Sequence, residues 1–264
     1  MANYFTRSFK PDIILGDVSN VVASDKGAAA FAAKDILFDW QAVDIPVGTH
    51  ALVDGTIHTY GVQGGEQADV DIMLVIAKSN SGVAPTSLGA VNAPVTGCFE
   101  LPEITIGIMK FEGGATRTHK LDYAFGSIYY FNGTGNNGTT GPLVITPEAN
   151  PNLTGSTGEN RIYVAGIAGG GLDFRSGVLL NDGSDVADDA GTALTVDTVD
   201  PRAAFRPGDV VYIHDVDTAI GTVASLGATT ITLTSNNVGA IANNDMFMNA
   251  TPITVRLHFE QASK

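Results

Sequence analysis

Five histidines, a single cysteine and a cluster of aspartates are the residues of this chain best suited to chemistry. The histidines are His50, His58, His119, His214 and His258, and no two stand at the three- or four-residue spacing that lets a helix or turn offer a zinc ion two ligands. His50 and His58 are eight apart in one strand-like stretch, about 25 Å along a continuous strand and too far for one metal. His214-Asp-Val-Asp217 sets an imidazole beside two carboxylates. That arrangement can orient a base or hold a divalent ion, and it reads more simply as a polar turn closing a strand. In Asn181-Asp-Gly-Ser-Asp-Val-Ala-Asp-Asp189, the carboxylates of Asp182, Asp185, Asp188 and Asp189 form an oxygen-rich loop of the kind a hard cation such as calcium takes. The glycine and terminal glutamate of the helix-loop-helix calcium loop are misplaced there, and a solvated acidic loop is the simpler reading. Cys98 has no disulfide partner and no histidine context, so it reads as a small buried hydrophobe. The chain has no Gly-x-Ser-x-Gly elbow, no His-Glu-x-x-His, no Walker loop and no cysteine pair for zinc. Gly166-Ile-Ala-Gly-Gly-Gly171 lacks the spacing of a phosphate loop, and no helix follows to present its amides, which leaves a turn or bulge. No catalytic residue, metal site or cofactor is expected.

The elements that would position these residues are strands. Of 264 residues, 31 are glycine and 11 proline while 16% are charged, a composition of short strands and many turns rather than long helices. Period-two alternation or short β-branched runs mark Asp35 to Val43, Ala51 to Val62, Asp69 to Ala77, Ile104 to Phe111, Thr116 to Phe131, Leu143 to Thr146 and Arg161 to Ala168. Asp69 to Ala77 turns apolar on both faces and should be a central strand. Asp25 to Lys34 is alanine-rich and marginally long enough for one short helix. Asn132 to Gly141 reads as a mobile polar loop. In Tyr129-Tyr-Phe131, the one aromatic cluster able to stack on a sugar, alternation puts Tyr129 and Phe131 on one face, where core packing is the commoner fate. Five short strands between Thr192 and Asn249 suit a small barrel, and the alternating Ile253, Val255, Leu257 and Phe259 should return the chain to the main sheet. The expected fold is therefore all-β. It comprises an extended N-terminal arm (1–12), a jelly-roll-like β-sandwich (13–190 with 251–264) and an inserted small β-barrel (191–250).

Charge narrows the partners. With 14 basic against 28 acidic side chains the net charge is −14, which repels phosphate backbones and anionic lipid heads, so neither nucleic acid nor membrane is expected. Residues 173–217 carry ten aspartates and three arginines, half of the negative excess. The first ten residues run the other way: Tyr4, Phe5 and Phe9 with Arg7 and Lys10 and no acid, an arm suited to anchoring on a neighbouring subunit. The start of the chain lacks the apolar core of a secretion signal, which implies a cytoplasmic origin and makes the four Asn-x-Thr matches polar turns rather than glycan acceptors.

The pattern as a whole resembles tailed-bacteriophage virion proteins, in particular head decoration or cement proteins. The similarity is carried by Asp44-Ile-Pro-Val-Gly48, by Val75-Ile-Ala-Lys-Ser79 leading into Ser87-Leu-Gly-Ala-Val-Asn92, and by Gly208-Asp-Val-Val-Tyr-Ile213, Ile220-Gly-Thr-Val223, Thr230-Ile-Thr-Leu-Thr234 and Asn243-Asn-Asp-Met246. The resemblance implies a non-enzymatic β-rich protein, assembled in the host bacterial cytoplasm and bound to the major capsid protein on the outer surface of the head, often as a homotrimer. A tail, baseplate or fibre component and a carbohydrate-binding β-sandwich are the alternatives.

Overall fold

The structure is a computed structural model and describes residues 3–13, 31–60, 69–113, 120–123, 126–132, 142–146, 159–172, 174, 181–182, 184–197, 199–213 and 219–261. The chain is almost all β. Its strands are β1 (Asn3–Phe9), β2 (Ile36–Pro46), β3 (His50–Thr59), β4 (Ile72–Ala77), β5 (Thr105–Phe111), β6 (Lys120–Tyr123), β7 (Gly126–Asn132), β8 (Leu143–Ile145), β9 (Glu159–Ala168), β10 (Ala193–Thr195), β11 (Val210–Ile213), β12 (Ala219–Leu226), β13 (Thr230–Leu233), β14 (Phe247–Asn249) and β15 (Ile253–Gln261). Among the described residues the one α-helix is the single turn α1 (Leu101–Ile104). No helix there is long and apolar enough to cross a membrane.

Two sheets face each other. One runs β1-β15-β3-β7-β6, with β8 sharing the β7 side of β3, and the other runs β2-β9-β4-β5. The antiparallel pairs nest: β4 with β5, outside them β3 with β7, then β2 with β9, and outermost β1 with β15. A single long hairpin rolled up on itself produces this nesting, with successive pairs falling into alternate sheets. It is the connectivity of a jelly roll, which the sequence predicts. The roll closes because each strand keeps one apolar face. In β15, Ile253, Val255, Leu257 and Phe259 are buried, and they meet Leu52, Ile57, Leu74, Met109, Phe111 and Val164 in one core between the sheets. β4 is buried on both faces, as its apolar run requires, because residues 78–104 fold back over the outer side of the four-stranded sheet. There Leu88, Cys98 and Ile104 pack on Ile36, Val75 and Tyr163.

The third sheet lies in the connection between β9 and β15. Its order is β10-β13-β12-β11-β14, and it encloses a second core of Leu194, Phe205, Val211, Ile220, Ile231 and Phe247. The expected barrel does not close. The terminal strands β10 and β14 have three residues each and do not pair, too short to supply the stagger that closure needs. The unit also begins before residue 191, because Asn181 bridges Val196 and Val186 bridges Ile241. It is not sealed off from the roll: Tyr212, Met248 and Ala250 belong to the main core.

Residues 3–9 differ from a free arm. β1 is extended, as expected, but forms a seven-residue antiparallel ladder with β15. Phe5 stacks on Phe259 at 5.0 Å and Phe9 meets Phe38 edge-on at 6.1 Å. Two aromatics on one face of a strand find enough apolar surface on their own chain to dock there. The predicted helix lies mostly outside the described residues, and its last part, Phe31 to Lys34, is a bridge and turn instead. The polar loop at 133–141 and the His214-to-Asp217 cluster also lie outside the described residues.

Candidate functional site

The acidic loop places its side chains as fasteners. Asp185 accepts the Asn243 amide at 2.8 Å, Asp188 the Gly239 amide at 2.8 Å, and Asp189 the Asn236 side-chain amide at 2.9 Å. These bonds tie 185–189 to the 236–243 turns, and the backbone of Asp182 donates to Thr195. Among the described residues no three acidic, histidine or cysteine side chains converge to hold a metal. Cys98 lies in the satellite core under the 78–104 segment, where burial raises its thiol pKa and keeps it protonated. The glycine run is used for close approach rather than for phosphate: a Cβ on Gly166 would stand 2.3 Å from the Phe38 ring, and one on Gly169 would stand 2.6 Å from the Asp71 carbonyl. Of the aromatic cluster, Tyr129 is buried and Phe131 packs on Phe111 at 5.8 Å. Only Tyr130 is exposed, so the cluster offers no stacked sugar platform.

The side chains predicted for the arm divide by the pleat. Phe5 and Phe9 point into the sandwich, whereas Tyr4 is 69% exposed. Arg7 crosses to the other sheet, its Nε donating to the Asp44 carbonyl on β2, while Arg161 grips the Asp44 carboxylate with two bonds of 2.6 and 3.1 Å. Arg7 thus clips the edge strand of one sheet to the edge strand of the other.

Lys10, at the end of β1, leads to a buried polar node. Its Nζ donates to Asp209 Oδ1 at 2.6 Å, and the Tyr60 hydroxyl donates to the same oxygen at 3.0 Å. Asp209 Oδ2 accepts the Arg206 backbone N–H at 2.7 Å and the Asn249 side-chain amide at 2.8 Å. The carboxylate is fully buried and both of its oxygens are doubly engaged, which is the condition for keeping a charge inside a protein. It joins four places far apart in sequence: the end of β1, the end of β3, the turn before β11 and the end of β14. Burial, reinforced by the Asp209 charge, pushes the Tyr60 phenol well above its ordinary pKa, so it stays a donor.

Above this node lies a cleft of about 450 Å³ whose described lining residues are Lys10, His58, Tyr60, Arg206 and Arg256 with Phe9 and the hydroxyl side chains of Ser8 and Thr254, and none of these is an acid. The Arg206 guanidinium stands 5.0 Å from the centre of the Tyr60 ring, and Lys10 Nζ stands 6.0 Å from it. Strand register supplies the remainder. Arg256 sits between Ser8 and Thr56, and His58 is paired with Thr254, all on the outward face of the six-stranded sheet. The His58 pKa is lowered, first by burial and then by the Arg256 charge, which favours the neutral imidazole. In the sequence Lys10 and His58 stand out, whereas no local pattern marks Arg206, Tyr60, Asp209 or Arg256. Alternation alone puts Arg256 opposite the apolar face of β15, and nothing in the sequence says that β1 and β3 are its neighbours.

No family model, curated protein or solved structure matches this chain.

Proposed function

We propose that the chain is a non-enzymatic virion structural protein of a tailed bacteriophage, a decoration or cement protein that binds the major capsid protein on the outside of the head and stabilises contacts between shell subunits. The observation that carries this reading is the outer edge of β1. That strand ends the six-stranded sheet and pairs only with β15, so one row of its backbone N–H and C=O groups has no strand partner among the described residues. Tyr4 stands 69% exposed on the same strand. A free-standing protein usually blunts such an edge, whereas a subunit can use it to add a neighbour's strand and an aromatic anchor. The jelly roll is compatible with this role, since that fold recurs in viral capsid proteins, although it serves lectins and cupins as well. In this reading copies of the chain, as a homotrimer, turn their acidic bodies to water on the outside of the head and engage neither nucleic acid nor membrane.

The test is compositional and mechanical. Purified particles should contain this chain in a fixed ratio to the shell protein. Stripping it should lower the temperature at which particles rupture, and adding it back should restore the threshold. A variable ratio, or equal thresholds with and without the chain, would remove the cementing role and favour a tail location or host-surface binding.

A further inference from the structure

We infer that the cleft over Asp209 is a binding site for a phosphate-class oxyanion, either free phosphate or the head of a small phosphomonoester. Three observations, independent of the proposed role in a virion, support it. First, Lys10, Arg206 and Arg256 converge on one cleft from three separate elements in a chain whose net charge is −14, and among the described residues that line it none is acidic. Second, the charge there is incompletely neutralised. Asp209 lies beneath the floor with both oxygens engaged and serves Lys10. The Arg256 guanidinium, exposed on the outer face of β15, makes no hydrogen bond or ion pair among the described residues. Third, the hydroxyls of Ser8 and Thr254 share the cleft with it. His58 also lines it, its pKa lowered first by burial and then by the Arg256 charge.

The chemistry of that set selects the ligand. A guanidinium fork offers parallel N–H donors to two oxygens of one anion, which an ammonium cannot do. Further cations on the other walls favour a dianion over a monoanion, and hydroxyls supply neutral donors to a tetrahedral group's remaining oxygens. The volume falls within the range of small-molecule sites, enough for a phosphate with a few carbons attached. Arg206 is held over Tyr60, and its Nη1 donates to the Arg202 and Phe205 carbonyls, so this wall is pre-set rather than recruited.

The experiment uses the whole chain in a phosphate-free chloride buffer of fixed ionic strength. Inorganic phosphate, glycerol 3-phosphate and acetate are titrated in separate arms, followed by calorimetry and by the NMR shift of the His58 ring protons. One phosphate species should saturate with one equivalent, move His58 and raise the unfolding temperature, and the tighter of the two identifies the source. Arg256→Gln should weaken that binding by about tenfold or more, while Lys110→Gln, the same charge change on β5 of the other sheet, should leave it unchanged. Arg256→Lys keeps the charge but not the fork and should fall between. Because Arg256 is exposed and makes no hydrogen bond or ion pair among the described residues, its variants should keep the parent's unfolding temperature without ligand. Absence of saturable binding by either phosphate, acetate binding as tightly as phosphate, or Arg256→Gln and Lys110→Gln behaving alike would overturn the assignment. None of these outcomes bears on whether the protein decorates a capsid, which particle composition decides separately.

Discussion

Replacing Asp209 with alanine tests whether the buried carboxylate, rather than the ion pair it makes, secures the third sheet to the roll. The substitution removes the acceptor of four donors: Lys10 Nζ, the Tyr60 hydroxyl, the Arg206 amide and the Asn249 side-chain amide. They do not lose equally. The Lys10 side chain is 34% exposed and can turn to water, so its share is that of a surface pair, under about 1 kcal/mol. The Tyr60 hydroxyl keeps the Thr251 carbonyl at 3.2 Å and Asn249 keeps the Ala204 carbonyl at 2.7 Å, so each loses one of two partners. The Arg206 amide loses a 2.7 Å bond to a charged acceptor. Two weakened bonds at about 0.5–1 kcal/mol each and one lost part-buried bond to a charged acceptor at about 1.5–3 kcal/mol give a destabilisation of about 3 kcal/mol. For a protein of this size that lowers the unfolding temperature by about 6–12 °C. Urea unfolding of Asp209→Ala and Lys10→Gln, followed by circular dichroism and Trp40 fluorescence, measures both effects. Lys10→Gln should cost less than a third as much as Asp209→Ala. If the two cost the same, the node is an ion pair and the neutral donors contribute nothing.

Phe5→Ala removes a ring stacked on Phe259 and edge-on to His50, and should cost about 2–4 kcal/mol by chemical denaturation, whereas Tyr4→Ala should change stability by less than about 0.5 kcal/mol yet reduce occupancy on particles. Deleting residues 2–10 as a block would therefore confuse lost anchoring with a lost strand. Gly166→Ala drives a Cβ against the Phe38 ring and should destabilise by about 1–3 kcal/mol, while Gly191→Ala, which meets nothing within 4 Å, should be close to neutral; thermal unfolding compares them. His58 has a folded pKa below its ordinary 6.5, so its unfolded form binds the proton more readily and stability should be full above pH 6.5 and fall as pH drops below it. Arg256→Gln removes one cause of the depression and should flatten that fall, as denaturant midpoints between pH 5 and 8 would show.

Period-two patterns gave the individual strands because each strand of the roll buries one face: β15 alternates along almost its whole length, and β4, covered on both sides, reads as a continuous apolar run. The same alternation runs through the N-terminal segment. Tyr4, Phe5, Arg7, Phe9 and Lys10 look like a sticky, basic segment, but alternation also sorts them into Phe5 and Phe9 on one side and Tyr4 on the other, which is the signature of an edge strand. Closure of the small barrel was beyond reach, because period and composition are the same for an open five-stranded sheet. The cleft was less legible still. Its members come from positions 8–10, 58–60, 206 and 254–256, so only pairing across some 200 residues makes them neighbours, and a local pattern carries no trace of that separation.

The insertion explains why the cleft exists at all. On the roll alone, Ser8, Arg256 and His58 would stand on the flat outer face of three adjacent strands, open to water on one side, where isolated charges are screened and bind little. The connection from β9 to β15 is where the chain passes from the β2–β9 pair to the outermost pair, so an insertion there disturbs no inner pair and emerges beside β15 and β1. Pro201–Ala203 makes a tight 3-10 turn that carries Phe205 into the second core, and this leaves the next residue, Arg206, over Tyr60. Asp209, three residues on, closes the turn by accepting the Arg206 amide and at the same time accepts Lys10 and Tyr60 from the roll. One short turn therefore fixes the position of the third sheet and raises a cationic wall over a sheet face that would otherwise be open.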